Sequence, residues 1–213
     1  MSRLFGGIRA PSTLGSHLRS YNFANVAQLE KAGRGLLIRL AREAPLLRGG
    51  RYPAFAGIDS SQKRVYGYAK QGARFGVTKI ASRQVKVCGL NPLIAAVSTP
   101  DSAPVIAATR LRGGHLPSGR FSADAAWLSI AAITRNLLRG ASALAGRALA
   151  RARGATLRRD LVAVPARTAR HGRGHLTLHL PENWHRAREW LSLFEVVDPG
   201  LGPKLYARPP DLS

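Results

Sequence analysis

The chain has 213 residues, with 33 Lys and Arg against 11 Asp and Glu, for a formal net charge of +22. That length suffices for one domain or one and a half with a hydrophobic core, and the charge excess points to a polyanionic partner, most simply DNA or RNA. A single cysteine, Cys88, excludes a disulfide framework and a Cys-rich zinc site, and the basic, Gly-containing N-terminus lacks the apolar core of a secretory signal.

The charge is not confined to a tail. Residues 1–114 hold 18 basic against 4 acidic side chains, and residues 115–213 hold 15 against 7. Abundant Arg, Ala, Gly and Pro also fit a genomic composition bias, which accounts for part of the excess. The most apolar window, Ala125–Ile133, is too short to span a bilayer and is followed by Arg135. A cytoplasmic protein off the membrane is expected.

Residues 1–50 read as a helical lead-in. Thr13–Tyr21 suits a short helix with Ser12 as N-cap. A stronger helix starts at Asn25, taken as N-cap, with Gln28 three residues on as in a capping box. Val26, Leu29, Leu36, Leu37 and Leu40 line one side of it, Gly33 and Gly35 weaken it by about 1 kcal/mol each, and Pro45 ends it.

Residues 51–114 read as strands. Ala54–Ile58 is the first, ending at Asp59, and Val65–Tyr68 is short enough to pair beside it. Val85–Val87 and Leu93–Ser98 are strand candidates interrupted by Gly89-Leu90-Asn91-Pro92. Thr99-Pro100-Asp101-Ser102 is a turn, because Pro presets φ and Asp bonds its own backbone. Val105–Thr109 then returns antiparallel, so the expected class is α/β with a three-stranded antiparallel meander.

Residues 115–197 read as helices and a β-hairpin. Ser122 is the expected N-cap of a helix over Ala123–Gly140, with Trp127, Ile130, Leu137 and Leu138 facing the core. The Arg/Ala stretch Gly140–Arg153 continues helically or frays, and Ala155–Val162 is a short helix or a strand entry. Thr168–Arg170 and His175–Leu180 flank a Gly-rich loop as a hairpin. Asn183 caps a last amphipathic helix carrying Trp184, Ala187, Trp190, Leu191 and Phe194 on one face. The Pro-rich segment 198–213 is expected to be a disordered tail.

Two groups of residues carry candidate chemistry. Asp59, at a strand end, is placed where a carboxylate can hold a divalent cation; a turn-capping aspartate is the plainer reading. Phosphoryl chemistry with two cations needs two or three carboxylates, and Asp101, Asp124, Glu182, Glu189 and Glu195 have no spacing that converges on Asp59. Lys63, Arg64, Lys70, Arg74, Lys79, Arg83 and Lys86, interleaved with Tyr66, Tyr68 and Phe75, suit a nucleic-acid groove, or equally a solvated basic loop. Gly67, Gly72 and Gly76 match neither a Walker A loop nor a dinucleotide fingerprint. Ser60 and Ser61 have no neighbouring His to activate them, and His175 and His179 on one strand are about 13 Å apart, too far to share a metal.

Four strings, RAPSTLGSHLRS, GIDSSQKRVYGYAKQGARFG, VCGLNPLIAAVSTPDSAPVIAATRLRGG and HLPSGRFSADAAWL, resemble insertion-sequence transposases of the DDE type. ATLRRDLVAVPARTARHGRGHLTLHLPENWHRAREWLSLF resembles the C-terminal end of the same proteins, so the likeness runs in order from residue 3 to about residue 195. The resemblance implies a ribonuclease H-like fold in which three carboxylates hold two Mg²⁺ ions that cut and join DNA. It implies a catalytic and metal-binding type for Asp59, in the context Asp59-Ser60-Ser61, with Gly57 where the family often has a second Asp. The block expected to carry the other two carboxylates lies between LRGG and HLPSG, and here those pieces are fused at Gly114–His115. By the same resemblance, the family's usual N-terminal DNA-binding region is expected to be absent before RAPST.

The resemblance therefore implies a truncated, internally deleted transposase with a partial ribonuclease H-like core, an incomplete Mg²⁺ site and no catalysis. DNA is the expected partner, with self-association or association with an intact transposase as further expectations. The alternatives are a basic, non-enzymatic DNA-binding fragment that interferes with intact transposase, and a ribosomal-type RNA-binding protein.

Overall fold

The computed structural model describes residues 11–47, 53–60, 63–64, 74–112, 120–164, 166–170, 176–181 and 183–197. Two helices lead in, α1 (Pro11–Arg19) and α2 (Phe23–Glu43). The cap of α2 is Asn22 rather than Asn25. Asn25 N donates to Asn22 Oδ1 at 2.9 Å, and Asn22 N donates to Asn25 Oδ1 at 3.1 Å. Asn22 has the extended backbone of a cap, which sets its oxygen beneath the free amide three residues on, and Asn25 supplies the reciprocal half of the box. The helix ends at Glu43, just before Pro45, as the proline predicts.

The sheet is open and antiparallel throughout. Its strands are β1 (Phe55–Ser60), β2 (Lys63–Arg64), β3 (Arg74–Ile80), β4 (Arg83–Ser98) and β5 (Val105–Arg112). All the others pair with β4, which runs unbroken for 16 residues. The expected interruption at Gly89–Pro92 does not occur. Pro92 sits opposite Leu111 within the ladder, and Gly89 faces Arg64 on one edge and Arg74 on the other.

The five strands form three lanes. β1 and β2 share one register on β4, with Ser60 opposite Leu93 and Lys63 opposite Leu90, so they continue each other along one edge. On the other edge, β3 covers the first half of β4 and β5 the second. β3 and β4 join through Ala81 and Ser82, both at positive φ (47° and 67°), in the left-handed region that matches the twist of a two-residue hairpin. β3 lies where the sequence suggested basic loop. Its alternation of Phe75, Val77 and Lys79 is the period-2 signal, masked by a turn without Gly or Asn.

Helix α3 (Phe121–Leu144) is the spine of the molecule, and it contributes to all the buried clusters. Ala123, Ala125 and Ala126 pack on Leu18 and Val26 of α1 and α2. Leu128 meets Leu90 and Leu111 of the sheet. Ala143 joins Leu37, Leu46 and Val105. Leu138 and the cap residue Ala145 pack with Leu149, Leu157 and Leu161. Leu46, Leu90, Leu149 and Leu157 are wholly buried, each stabilising the fold by about 1.5–3 kcal/mol relative to an exposed leucine.

The buried face of α3 is only partly the one its bulky residues suggested: Ile130 and Leu138 pack against the core as expected. Trp127 and Leu137 are exposed, whereas Ser129, Asn136, Gly140 and Ser142 are buried. Gly140 is buried by close approach to α2, whereas Asn136 is held against Ile106 of β5. A methyl placed on Gly140 would lie 3.0 Å from Leu40 Cδ2, and one on Gly33 would lie 3.1 Å from Ile133 Cγ1. Small residues let the two helices touch, and the large ones turn outward. The helix also begins at Phe121 with Arg120 in the cap position, where no side chain caps it, so Ser122 is not its cap.

Past α3 the chain breaks at Gly146 (φ +118°) and continues as α4 (Arg147–Ala150), α5 (Gly154–Leu157) and a π-helical turn over Arg158–Val162. A hairpin of β6 (Arg167–Arg170) and β7 (Leu176–His179) follows, as the alternation predicted. The last helix, α6 (Ala187–Val197), starts four residues after Asn183. Segment 198–213, expected to be disordered, lies outside the described residues.

Candidate nucleic-acid interface

Asp59 occupies the fifth of six positions in β1, a strand exposed along its whole length. It is opposite Ile94, which is opposite Thr109, so the three form one row across the lanes. Ser60 N donates to Asp59 Oδ1 at 2.7 Å, a local bond of the kind that holds a carboxylate at a strand end.

Asp101, Asp124, Asp160 and Glu189 lie elsewhere, and Glu182 is outside the described residues. Asp101 sits in the turn beyond Ser98, which pairs with Phe55, and four residues of strand rise separate Phe55 from Asp59 by about 13 Å. Asp124 is buried in the first turn of α3. Among the described residues no three His, Cys, Asp or Glu side chains are grouped to hold a metal ion. Asp59 alone does not fit a two-cation site, which needs bridging and flanking oxygens from several carboxylates.

Asp160 and Glu189 are engaged in an ion-pair clasp that the sequence did not single out. The Asp160 carboxylate is wholly buried in the π-helical turn, with Arg159 Nε donating to Oδ1 at 2.5 Å and Arg186 Nε to Oδ2 at 3.3 Å. Arg186 Nη1 also donates to Glu189 Oε1 at 2.8 Å, and Trp190 Nε1 donates to Leu161 O at 3.4 Å. The Arg159 hydrogen bond is the main force holding the Asp160 carboxyl below its ordinary range, against the opposing effect of burial. This clasp fixes α6 to the π turn. A lone aspartate among ten arginines between 135 and 173 was its only sequence signal.

The predicted basic residues divide by face. Lys79 is opposite Gln84, Val77 opposite Lys86, and Ile80 opposite Arg83. Directly opposed residues share a face and neighbours along a strand alternate, so Lys79 and Lys86 lie together while Arg83 lies on the reverse. Lys86 Nζ is 5.7 Å from the centroid of the Phe75 ring, a cation–π contact across the diagonal. Lys79, Arg83 and Lys86 are all exposed. Arg64 and Arg74 take strand positions on opposite edges of Gly89, and Lys63 faces Leu90. Lys70 lies outside the described residues.

A second set of cations covers the helical half. Arg135, Arg147, Arg151, Arg153 and Arg158 are exposed. Arg139 is buried instead, with Nη1 donating to Ala152 O at 2.6 Å; burial and the nearby Arg135 lower its pKa from the usual guanidinium value. Among the described residues no helix is long and apolar enough to cross a membrane. Compared with known proteins, the chain matches no family model, no curated protein and no solved structure.

Proposed function

We propose that the chain is a remnant of a DDE-type transposase that binds duplex DNA and does not cut it. The observation that carries this reading is the isolation of Asp59. It stands exposed near the C-terminal end of β1, in the sequence context of a catalytic aspartate, and among the described residues it belongs to no group of three His, Cys, Asp or Glu side chains that could hold a metal ion. The antiparallel lanes β1, β4 and β5 support a partial ribonuclease H-like core. The fusion at Gly114–His115 accounts for the missing acids, because the family's second aspartate and glutamate belong between the two pieces.

DNA binding rests on charge. Each phosphate that a Lys or Arg neutralises releases condensed counterions, so affinity falls steeply with salt, by about 0.9 in log–log slope per phosphate. With a net charge of +22 spread over both halves, the charge by itself supports weak binding, and its phosphate contacts carry no sequence preference. The test combines a salt titration of duplex binding with cleavage of a supercoiled plasmid in Mg²⁺ or Mn²⁺, using Asp59→Ala as control. Steep salt dependence without nicking is the expected result. Metal-dependent nicking that disappears in Asp59→Ala would overturn the inactive reading, and a flat salt response would overturn the DNA-binding one.

A further inference from the structure

We propose that the β3–β4 ribbon presents one face to the major groove of duplex DNA, with Lys79, Gln84 and Lys86 reaching base edges beside Phe75 and Val77. The inference rests on the DNA-binding reading above and names the element and the groove.

The ribbon has a free side and an anchored side. On one face, Phe75 is 71% and Val77 64% exposed, and Lys79, Gln84 and Lys86 are exposed with them. On the reverse, Val87 is buried at 5% and Gly76 and Thr78 are half-buried, so that side is anchored at the end away from the turn, while Ile80, Arg83 and Val85 nearer the turn are exposed. The apolar residues of the free face are therefore not the outer layer of a core. Phe75 instead lies under the Lys86 ammonium, keeping that cation on the free face.

Charge selects the occupant. The proposed face carries Lys79 and Lys86, and the ribbon from residue 74 to residue 88 has no acid, so the complementary surface is a polyanion. Shape selects duplex DNA among polyanions. Seven paired residues extend about 20 Å, and the B-form major groove admits a two-stranded ribbon. The major groove of A-form RNA is too deep and narrow for side chains to read. The side-chain chemistry matches what that groove displays. A glutamine amide pairs with adenine N6 and N7, lysines donate to guanine O6 and N7, and apolar groups contact the thymine methyl.

The experiment uses the full chain and a mixed-sequence duplex of about three helical turns at about 0.1 M salt. A second duplex carries 7-deazapurines, which remove the N7 acceptors of the major groove without altering phosphate charge. The wild-type chain is expected to bind the deazapurine duplex at least about threefold more weakly. Lys79→Ala/Gln84→Ala/Lys86→Ala is expected to lose about tenfold in affinity and to stop distinguishing the two duplexes. The charge-matched control Arg34→Ala/Arg39→Ala on α2 should keep the discrimination. Circular dichroism checks that each variant is folded, and the deazapurine comparison on the wild-type chain needs no variant. Equal binding of both duplexes, retained discrimination by the triple variant, or duplex RNA bound as tightly as DNA would each overturn the ribbon proposal while leaving DNA binding intact. Absence of salt-sensitive binding to any duplex would overturn both.

Discussion

Asn136 on α3 holds both backbone polar groups of Ile106 on β5: Ile106 N donates to Asn136 Oδ1 and Asn136 Nδ2 donates to Ile106 O, each at 2.8 Å. The amide thus takes the place of a further strand. It does so where β5 is irregular, between the pairs Ala95–Ala108 and Ala96–Ile106. Asn136→Ala removes two hydrogen bonds and leaves a part-buried amide and carbonyl unmet, at a cost of about 2–4 kcal/mol. Asn136→Asp should also destabilise, because an ionised carboxylate can accept from Ile106 N but cannot donate to Ile106 O. Urea titration, read as a lower midpoint at unchanged slope, measures both.

Two glycines in helices should respond with opposite signs. Gly35 in α2 has open space around a would-be Cβ, so Gly35→Ala is expected to stabilise by about 0.5–1 kcal/mol through helix propensity. Gly140 meets Leu40 Cδ2 at 3.0 Å, so Gly140→Val should cost about 1–3 kcal/mol through overpacking. Combining Gly140→Val with Leu40→Ala should recover part of that loss. Additive costs in the double-mutant cycle would mean that the two residues do not press on each other.

The Asp160 clasp sets an acid limit. Its carboxyl pKa is lowered, chiefly by the Arg159 hydrogen bond, and that of Glu189 is lowered by a backbone hydrogen bond and by Arg186. A folded pKa below the unfolded value of about 4 contributes stability that is complete above that value and is lost as pH falls through the folded pKa. The chain should therefore weaken below about pH 4. Asp160→Asn should cost about 1–3 kcal/mol near pH 7 and flatten the acid limb. Melting temperatures across pH 3–7 for both proteins would reveal an unchanged acid limb if the clasp contributes nothing.

The turn at Ala81-Ser82 carries two non-glycine residues at positive φ. Ala81→Asn/Ser82→Gly supplies the residues that favour this conformation and should stabilise the β3–β4 ribbon by about 1 kcal/mol. Slower amide exchange in residues 75–88 is the expected readout, and faster exchange there would contradict it.

Local chemistry made much of this chain legible. Alternating Leu176 and Leu178 marked the hairpin, Pro45 marked the end of α2, and the Pro-Asp turn marked the return of β5 onto β4. Each signal acts within a few residues, so sequence carries it. The basic residues of the candidate interface were likewise visible as a run, and so was Asp59 at the end of its strand. Only the tertiary structure decided which of them share a face. Lys79 and Lys86 come together and Arg83 turns away because β3 pairs with β4 in one register, and register depends on a partner strand. The inward side of α3 was decided the same way. Trp127 and Leu137 are more apolar than Gly140, yet Gly140 is buried, because the separation between α2 and α3 selects residues by size as well as by hydrophobicity.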